Sequence, residues 1–381
     1  MRSPFDSRAD GRRTGIPQRV LTIERTNPVK LTRRSAATAV TSGVAVASLL
    51  LPTAANARTT TDPAAAAAGY LARQLAAHHD HLVTVYSGTE YADDGETADA
   101  VLSLDAAGVA QHEAALATKW LEQDAGNYLG GTAPDIYPGS AAKLLLVAEA
   151  QHVNPTNFGG IDLIGAIVGT EGGGGAPAGE YQNPTDTQYS ASVLVQSLAV
   201  LALASSSGTA SPSASAVSFL AGQQCTNGAF QVAIRPDTSV ACANADNDAD
   251  TTAYAIQALL AAGHHTAANE ATLWLAAQER SDGGWGETPG VASDANSTAL
   301  AVEALIAAHR KANPGVRWLT SHQEGCKAKV GRHGAVRVQG GKYVAATAIR
   351  ATSQAAVALA GRALSWIDKT GASASAPTLK C

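Results

Sequence analysis

Aromatic side chains make up 5% of this 381-residue chain and charged ones 15%. The charged share is well below the roughly 25% of an average soluble protein. Low charge beside 45% apolar residues excludes a disordered chain, which needs the opposite balance. It also excludes a coiled coil, whose seam of Leu is flanked by Glu and Lys. Among the four cysteines there is no CxxC or CxxH pair, so no structural zinc site is expected. No Gly-x-Ser-x-Gly marks a hydrolase elbow. Glu171 and the run Gly172 to Gly175 lack the Lys-Ser/Thr that completes a phosphate loop. Asp93-Asp94-Gly95-Glu96-Thr97 comes nearest to a metal–diphosphate Asp-Asp-x-x-Asp and fails at its last position. What the chain has instead is alanine, which suits many small-residue helices packed closely.

Residues 1–57 read as a targeting segment. Lys30, Arg33 and Arg34 form a basic region, residues Ala36 to Leu51 an uncharged apolar stretch, and Ala55-Asn56-Ala57 a small-x-small cleavage site. That is the three-part pattern of a secretory signal peptide. The apolar stretch falls short of the ~20 strongly apolar residues of a membrane span. Arg33-Arg34 is followed by Ser35-Ala36-Ala37, without the bulky apolar residue of a twin-arginine signal, so the ordinary export route is expected. The long polar lead before Val29 suggests that translation starts at Val29. Nine of the 27 basic and three of the 32 acidic residues lie in 1–57. The remaining 18 basic and 29 acidic residues give a net charge of −11. An acidic balance of this size disfavours nucleic acid and anionic lipid as partners. The mature protein is expected to be secreted, extracellular and monomeric, without a membrane span.

Cys225, Cys242, Cys326 and Cys381 all lie in the mature part, and an even count in an exported chain suggests two disulfides. Three pairings are possible; sequence proximity favours Cys225–Cys242 and Cys326–Cys381. His78, His79 and His81 cluster around Asp80. Two of them share a helical face, a spacing that can hold a metal, but the run reads as a solvated helix end. No metal and no cofactor are expected.

The informative feature is an internal repeat. Segments opening at Asp94, Thr187, Asp248 and Asp294 align without gaps. Each starts with Asp, Asn, Ser or Thr and runs into an Ala-rich apolar helix, the signature of a capped N-terminus. Each is followed by a second helix, around Trp120, Phe219, Trp274 and Trp318, that leads in the last three to a Gly-containing turn. Two less regular units, 140–169 and 345–366, bring the total to about six helical hairpins. In Gln278-Glu279-Arg280-Ser281-Asp282-Gly283-Gly284-Trp285-Gly286, the glycines permit a tight turn after the helix. Gln278 can bond backbone at the helix end, with Trp285 stacked over it. This stretch resembles the Gln-Trp repeat of squalene cyclases and protein prenyltransferase subunits. Asp248-Ala249-Asp250-Thr251-Thr252-Ala253 resembles the start of an inner helix in the same superfamily. The resemblance covers about residues 64–368 and is strongest near 215–325. It implies an all-α fold, a single (α/α)6 toroid of six inner and six outer helices around a central cavity. The expected division is an N-terminal extension and signal peptide at 1–57, the toroid at 58–368 and a C-terminal tail at 369–381.

The resemblance also offers chemistry. The middle Asp of the Asp-x-Asp-Asp motif in class II terpene cyclases protonates an alkene, and Asp250 takes that place. Such an acid works in a cavity walled by aromatic rings that stabilise cations. Here Thr251 replaces the last Asp, aromatics are scarce, and Asp294-Ala295-Asn296 and Asp94-Gly95-Glu96 repeat the pattern. Repetition favours helix capping over one catalytic acid. The prenyltransferase zinc set is echoed loosely by Cys242, Asp246 or Asp248, and His309, with Cys242 expected to be oxidised. The leading expectation is a non-catalytic extracellular module for a small-molecule or cell-envelope ligand. Its cavity mouth would be lined by Glu96, Tyr189, Asp248, Asp250, Tyr254, Asp294 and Asn296. Alternatives are a cyclase using Asp250 and a polysaccharide-cleaving enzyme pairing Asp250 with Asp294.

Overall fold

The structure, a computed structural model, describes residues 58–131, 135–172, 176–184, 191–206, 208 and 210–381. Residues 1–57, expected to be a targeting segment, and Tyr189 lie outside the described residues. Twelve α-helices are found among them: α1 Pro63–Ala77, α2 Asp94–Ala107, α3 Gln111–Leu129, α4 Pro138–Ala150, α5 Leu163–Val168, α6 Val193–Ser205, α7 Ala214–Gly222, α8 Ala249–Ala261, α9 His265–Ala277, α10 Ala295–Ala307, α11 Asn313–Ser321 and α12 Ala345–Leu359. Strand is limited to three two-stranded pairs: β1 Thr59–Thr60 with β6 Thr378–Leu379, β2 Leu82–Tyr86 with β3 Thr89–Asp93, and β4 Phe230–Gln231 with β5 Asn247–Asp248.

The even-numbered helices form the inner ring. α2, α4, α6, α8, α10 and α12 each pack on the next, and α12 packs back on α2 to close the circle. Odd-numbered helices lie outside, α9 against α8 and α10, for example, and α1 against α12 and α2. Inner helices are buried on nearly every side, so their sequences carry little amphipathic signal. α6 is almost wholly apolar, α10 is mostly Ala, Leu and Val, and those three make up half of α2. Small residues let neighbouring backbones approach closely, which explains the alanine content.

Four inner helices have side-chain N-caps, and they correct the register of the sequence alignment. Asp248 and Asp294 cap α8 and α10 as expected, but α2 is capped by Asp93 rather than Asp94, and α6 by Ser192. α4 and α12 begin at Tyr137 and Val344 without a side-chain cap.

The inner helices are tied to the turns before them by one repeated bond. The backbone N–H of a buried turn residue donates to a side chain inside the inner helix: Leu82 to Thr97, Tyr181 to Gln196, Phe230 to Thr252, Trp285 to Thr298 and Val336 to Thr352, all 2.8–3.0 Å. Trp285 is further held by its indole N–H on Leu275 O (2.8 Å). Gln278 bonds Trp274 O at the end of α9. The turn at Gly283 has φ +85°, and its counterpart Gly334 has φ +90°. A side chain at Gly334 would collide with the Ala66 carbonyl of α1. Gln323 then bridges Gly334 O and Pro63 O (3.0 and 2.8 Å). This seats α1 as the sixth outer helix.

Both expected disulfides, Cys225–Cys242 and Cys326–Cys381, are present. The second pins a C-terminal strap. After α12 the chain crosses the face formed by the inner helices' C-terminal ends. Leu364 N–H donates to Gln257 in α8 (2.9 Å), Lys369 N–H to Ala150 O at the end of α4, and Ser373 N–H to Gly108 O at the end of α2. The strap then pairs with β1 and ends at the Cys381 disulfide. No helix among the described residues is long and apolar enough to cross a membrane.

Candidate functional site

The turn-to-helix bonds define equivalent positions around the ring. Two residues after each acceptor stand Asp99, Leu198, Tyr254, Leu300 and Gln354, and in α4, whose equivalent residue is Ala141, Lys143. All six line an axial cavity between the inner helices. One turn deeper, Leu102, Leu146, Glu303 and Val357 line it further, and Leu364 of the strap contributes from the C-terminal side. The free space is narrow, with room for only about one or two water molecules.

This layer was not evident in sequence. Pairing Asp94 with Asp248 sets Asp99 opposite Ala253; the correct pairing of Asp93 with Asp248 sets it opposite Tyr254. The available signal was a polar residue two places after a buried Thr in an Ala-rich helix.

Charges within the layer are partly matched. Lys143 Nζ meets Asp99 Oδ2 at 2.9 Å, both largely buried, and the lysine is held charged by that contact despite its burial. Glu303 is 1% exposed. Burial first, and the Asp99 charge second, push its carboxyl well above the usual range, with Gln257 pulling the other way. Its Oε2 and the Oε1 of Gln354 are buried without a hydrogen-bond partner.

About 6 Å toward the helix N-termini, at 1.5 Å per residue, lies a second layer: Asp250, Asn296 and Arg350 at matching positions on α8, α10 and α12, with Glu96 on α2. Asp250 Oδ1 and Asn296 Oδ1 are buried without partners. Burial, then the charges of Asp248, Asp294 and Glu287, raise the Asp250 carboxyl to about 7, although Ser297 opposes the shift. Glu96 is raised to about 7 by burial and by Asp99 and Asp93, against the pull of Lys143 and Arg350. Arg350 Nε stands 3.9 Å from Glu96 Oε1, and Ser353 Oγ donates to Glu96 Oε2 at 3.4 Å.

The sequence-predicted residues therefore divide. Asp250 and Asn296 hold matching helix positions with Glu96 nearby on α2, and Tyr254 lies one turn below, in the cavity wall. Asp248 and Asp294 sit at the rim but are engaged as caps, Asp248 on Thr251 N–H (2.6 Å) and Asp294 on Asn296 and Ser297 N–H (2.9 and 3.0 Å). Asp250 is no cap. In the Gln-Trp turn, Asp282 accepts from Gly284 N–H, Ser293 Oγ and Trp318 Nε1 (3.1, 2.8 and 3.2 Å). Gly286 packs against the Val291 and Ala292 carbonyls. These residues build the toroid and do not line the cavity. Cys242 is disulfide-bonded and His309 stacks on Trp366, so the prenyltransferase zinc set does not assemble. His81 stacks on Trp120, and no group of three metal-ligating side chains is found among the described residues.

No protein-family profile and no curated protein matches the sequence. Solved structures do match the fold. The type II terpene cyclase MstE from Scytonema aligns over 78% of this chain and 96% of its own, at 14% identity and TM-score 0.56. The unsaturated glucuronyl hydrolase of Bacillus sp. GL1, responsible for degradation of glycosaminoglycan, aligns over 78% and 95%, at 13% identity and TM-score 0.54. ent-Copalyl diphosphate synthase from Streptomyces platensis aligns over 70% of this chain at 20% identity and TM-score 0.45, and the chain spans half of that protein's length. The chain has an α/α-toroid fold.

Proposed function

We propose that this chain is a secreted, monomeric α/α toroid that binds a small polar or cationic ligand at the mouth of its axial cavity, without turning it over. Glu96, Asp250, Asn296 and Tyr254 provide the binding face, and Asp248 and Asp294 shape the rim. The observation that carries this reading is the pair of buried, unpartnered acceptors at the mouth, Asp250 Oδ1 and Asn296 Oδ1. Buried acceptors without donors are costly, and a ligand carrying N–H or O–H groups offsets that cost. Export is supported by the signal pattern of residues 1–57 and by the two disulfides, which persist in oxidising compartments.

One observation favours a second reading, in which Asp250 is a general acid. Its carboxyl, raised to about 7, stays largely protonated below neutral pH. Against it, Tyr254 is the only aromatic among the residues lining the cavity, and the free space is far smaller than a polyprenyl chain. Nothing in the site favours the polysaccharide-cleaving alternative.

Native mass spectrometry of protein purified from its own culture medium tests the proposal. The expected spectrum shows one small molecule bound per chain, lost in Glu96→Gln and Asp250→Asn variants that melt like the wild type. A ligand-free spectrum, or retention of the ligand by both variants, contradicts it.

A further inference from the structure

Charge is segregated along the chain. Residues 58–303 hold 27 of the 29 acidic side chains beyond residue 57, and residues 304–381 hold 12 of the 18 basic ones. No Asp or Glu occurs between Glu324 and Asp368. The net charge of −11 therefore hides a positive sector, where α11, α12 and the strap close the ring on α1.

The fold concentrates that sector further. The Cys326–Cys381 disulfide brings Lys327 and Lys380 together, with 5.5 Å between the two cysteine Cα atoms. Pairing of β1 with β6 adds Arg58, whose carbonyl accepts Thr378 N–H at 2.8 Å. Arg332 lies over the Tyr343 ring, 4.4 Å from its centre, which brings Lys342 alongside. Lys329 follows Lys327 on the same loop. All six but Arg332 are exposed, and none forms an ion pair among the described residues. The two acids of the neighbourhood are engaged, Glu324 with Arg337 at 3.1 Å and Asp62 as the cap of α1. The loop is braced: Arg73 donates to His333 O at 2.6 Å, His333 N–H donates to Val330 O at 3.1 Å, and Gly334 packs against Ala66 O of α1. Like charges held on a braced loop repel one another, and a partner of opposite charge removes that repulsion.

We propose that this basic sector is a docking surface for a linear phosphodiester polymer, with successive phosphates against Lys327, Lys329, Lys342 and Lys380. Its free cations are mostly lysines, point charges that suit phosphate. Arginine forks, which grip a planar carboxylate at two points, are engaged here on Glu324, His333 O and the Tyr343 ring. A thin strand fits better than a membrane. Glu90, Asp246 and Glu287 are exposed on the turns at the same end of the ring. Screening limits each charge to a reach of about 8 Å, so a strand lying on the lysines escapes those acids, whereas a flat anionic bilayer meets them too. The surface is separate from the cavity, so its failure leaves the small-ligand reading standing.

Fluorescence anisotropy of end-labelled poly(glycerol phosphate), titrated with the full chain purified from its culture medium, tests this. Binding is expected at low salt, with affinity falling at least tenfold between about 50 and about 200 mM NaCl as counterions return to the polymer. Lys327→Gln with Lys329→Gln is expected to lose at least tenfold in affinity and to show a shallower salt dependence, with an unchanged melting temperature. Arg310→Gln with Lys311→Gln removes the same charge beyond the C-terminal end of α10, and is expected to bind like the wild type. Hyaluronan, a carboxylate polymer, and phosphatidylglycerol vesicles are expected to bind at least tenfold more weakly than the phosphodiester. No binding at low salt, unchanged affinity in the Lys327/Lys329 variant, an equal loss in the Arg310/Lys311 variant, or equal or tighter binding of hyaluronan or vesicles each overturns the proposal.

Discussion

At the scale of single residues, two carboxyl groups at the mouth are maintained at a cost to stability. Asp250 and Glu96 are both raised to about 7 by burial and neighbouring acids, from an ordinary carboxyl value near 4. Between those values the folded chain binds more protons than the unfolded chain, so stability falls as pH rises from about 4 to about 7. The wild type is therefore expected to be more resistant to urea at pH 5 than at pH 8. Asp250→Asn should flatten that dependence, and urea melts at the two pH values measure it. A cationic ligand should show the opposite trend, binding more tightly at pH 8 than at pH 6 as the carboxyls ionise. Thr298 makes a separate prediction. Its hydroxyl accepts the buried Trp285 N–H at 3.0 Å, and Thr298→Val leaves that donor unpaired. A loss of about 1–3 kcal/mol is expected in chemical denaturation.

At the scale of elements, what was legible in sequence was what is local. Asp248 and Asp294 cap the helices they precede because a cap is a bond across two or three residues. The glycine turn after Gln278 was readable because Gly283 adopts a backbone conformation that side chains resist. Elements whose reason is distant were not readable. α4 and α12 have no side-chain cap, and the place of α1 depends on Gly334 and Gln323, some 260 residues away. The axial layer was hidden by slips in register, one residue between Asp94 and the cap Asp93, and five between Thr187 and the cap Ser192. Gly334→Ala should be severe, because φ +90° and the Ala66 carbonyl both oppose a side chain. A loss of more than about 2 kcal/mol is expected, with hydrogen exchange rising first in α1. Gly290→Ala, at a similar φ but with nothing near the added methyl, should cost less.

At the scale of the whole molecule, the toroid is a ring that must be closed. Packing closes it where α12 meets α2 and α1. The C-terminal strap then crosses the C-terminal ends of α4 and α2 and is fastened by Cys326–Cys381, a link of 55 residues. By the loop-entropy argument that link contributes about 4 kcal/mol. Cys326→Ser with Cys381→Ser should lower the melting temperature and raise exchange across residues 364–381 before the rest of the ring opens.

The central claim is that the site of Glu96, Asp250 and Asn296 binds and does not catalyse. The most direct test is to incubate the purified chain with a fractionated extract of its own culture medium and to measure how much of each small molecule disappears. Binding without turnover predicts that one compound is depleted to one equivalent per chain and is recovered unchanged on denaturation. Depletion beyond one equivalent, with a new product that Asp250→Asn abolishes while remaining folded, would contradict the account.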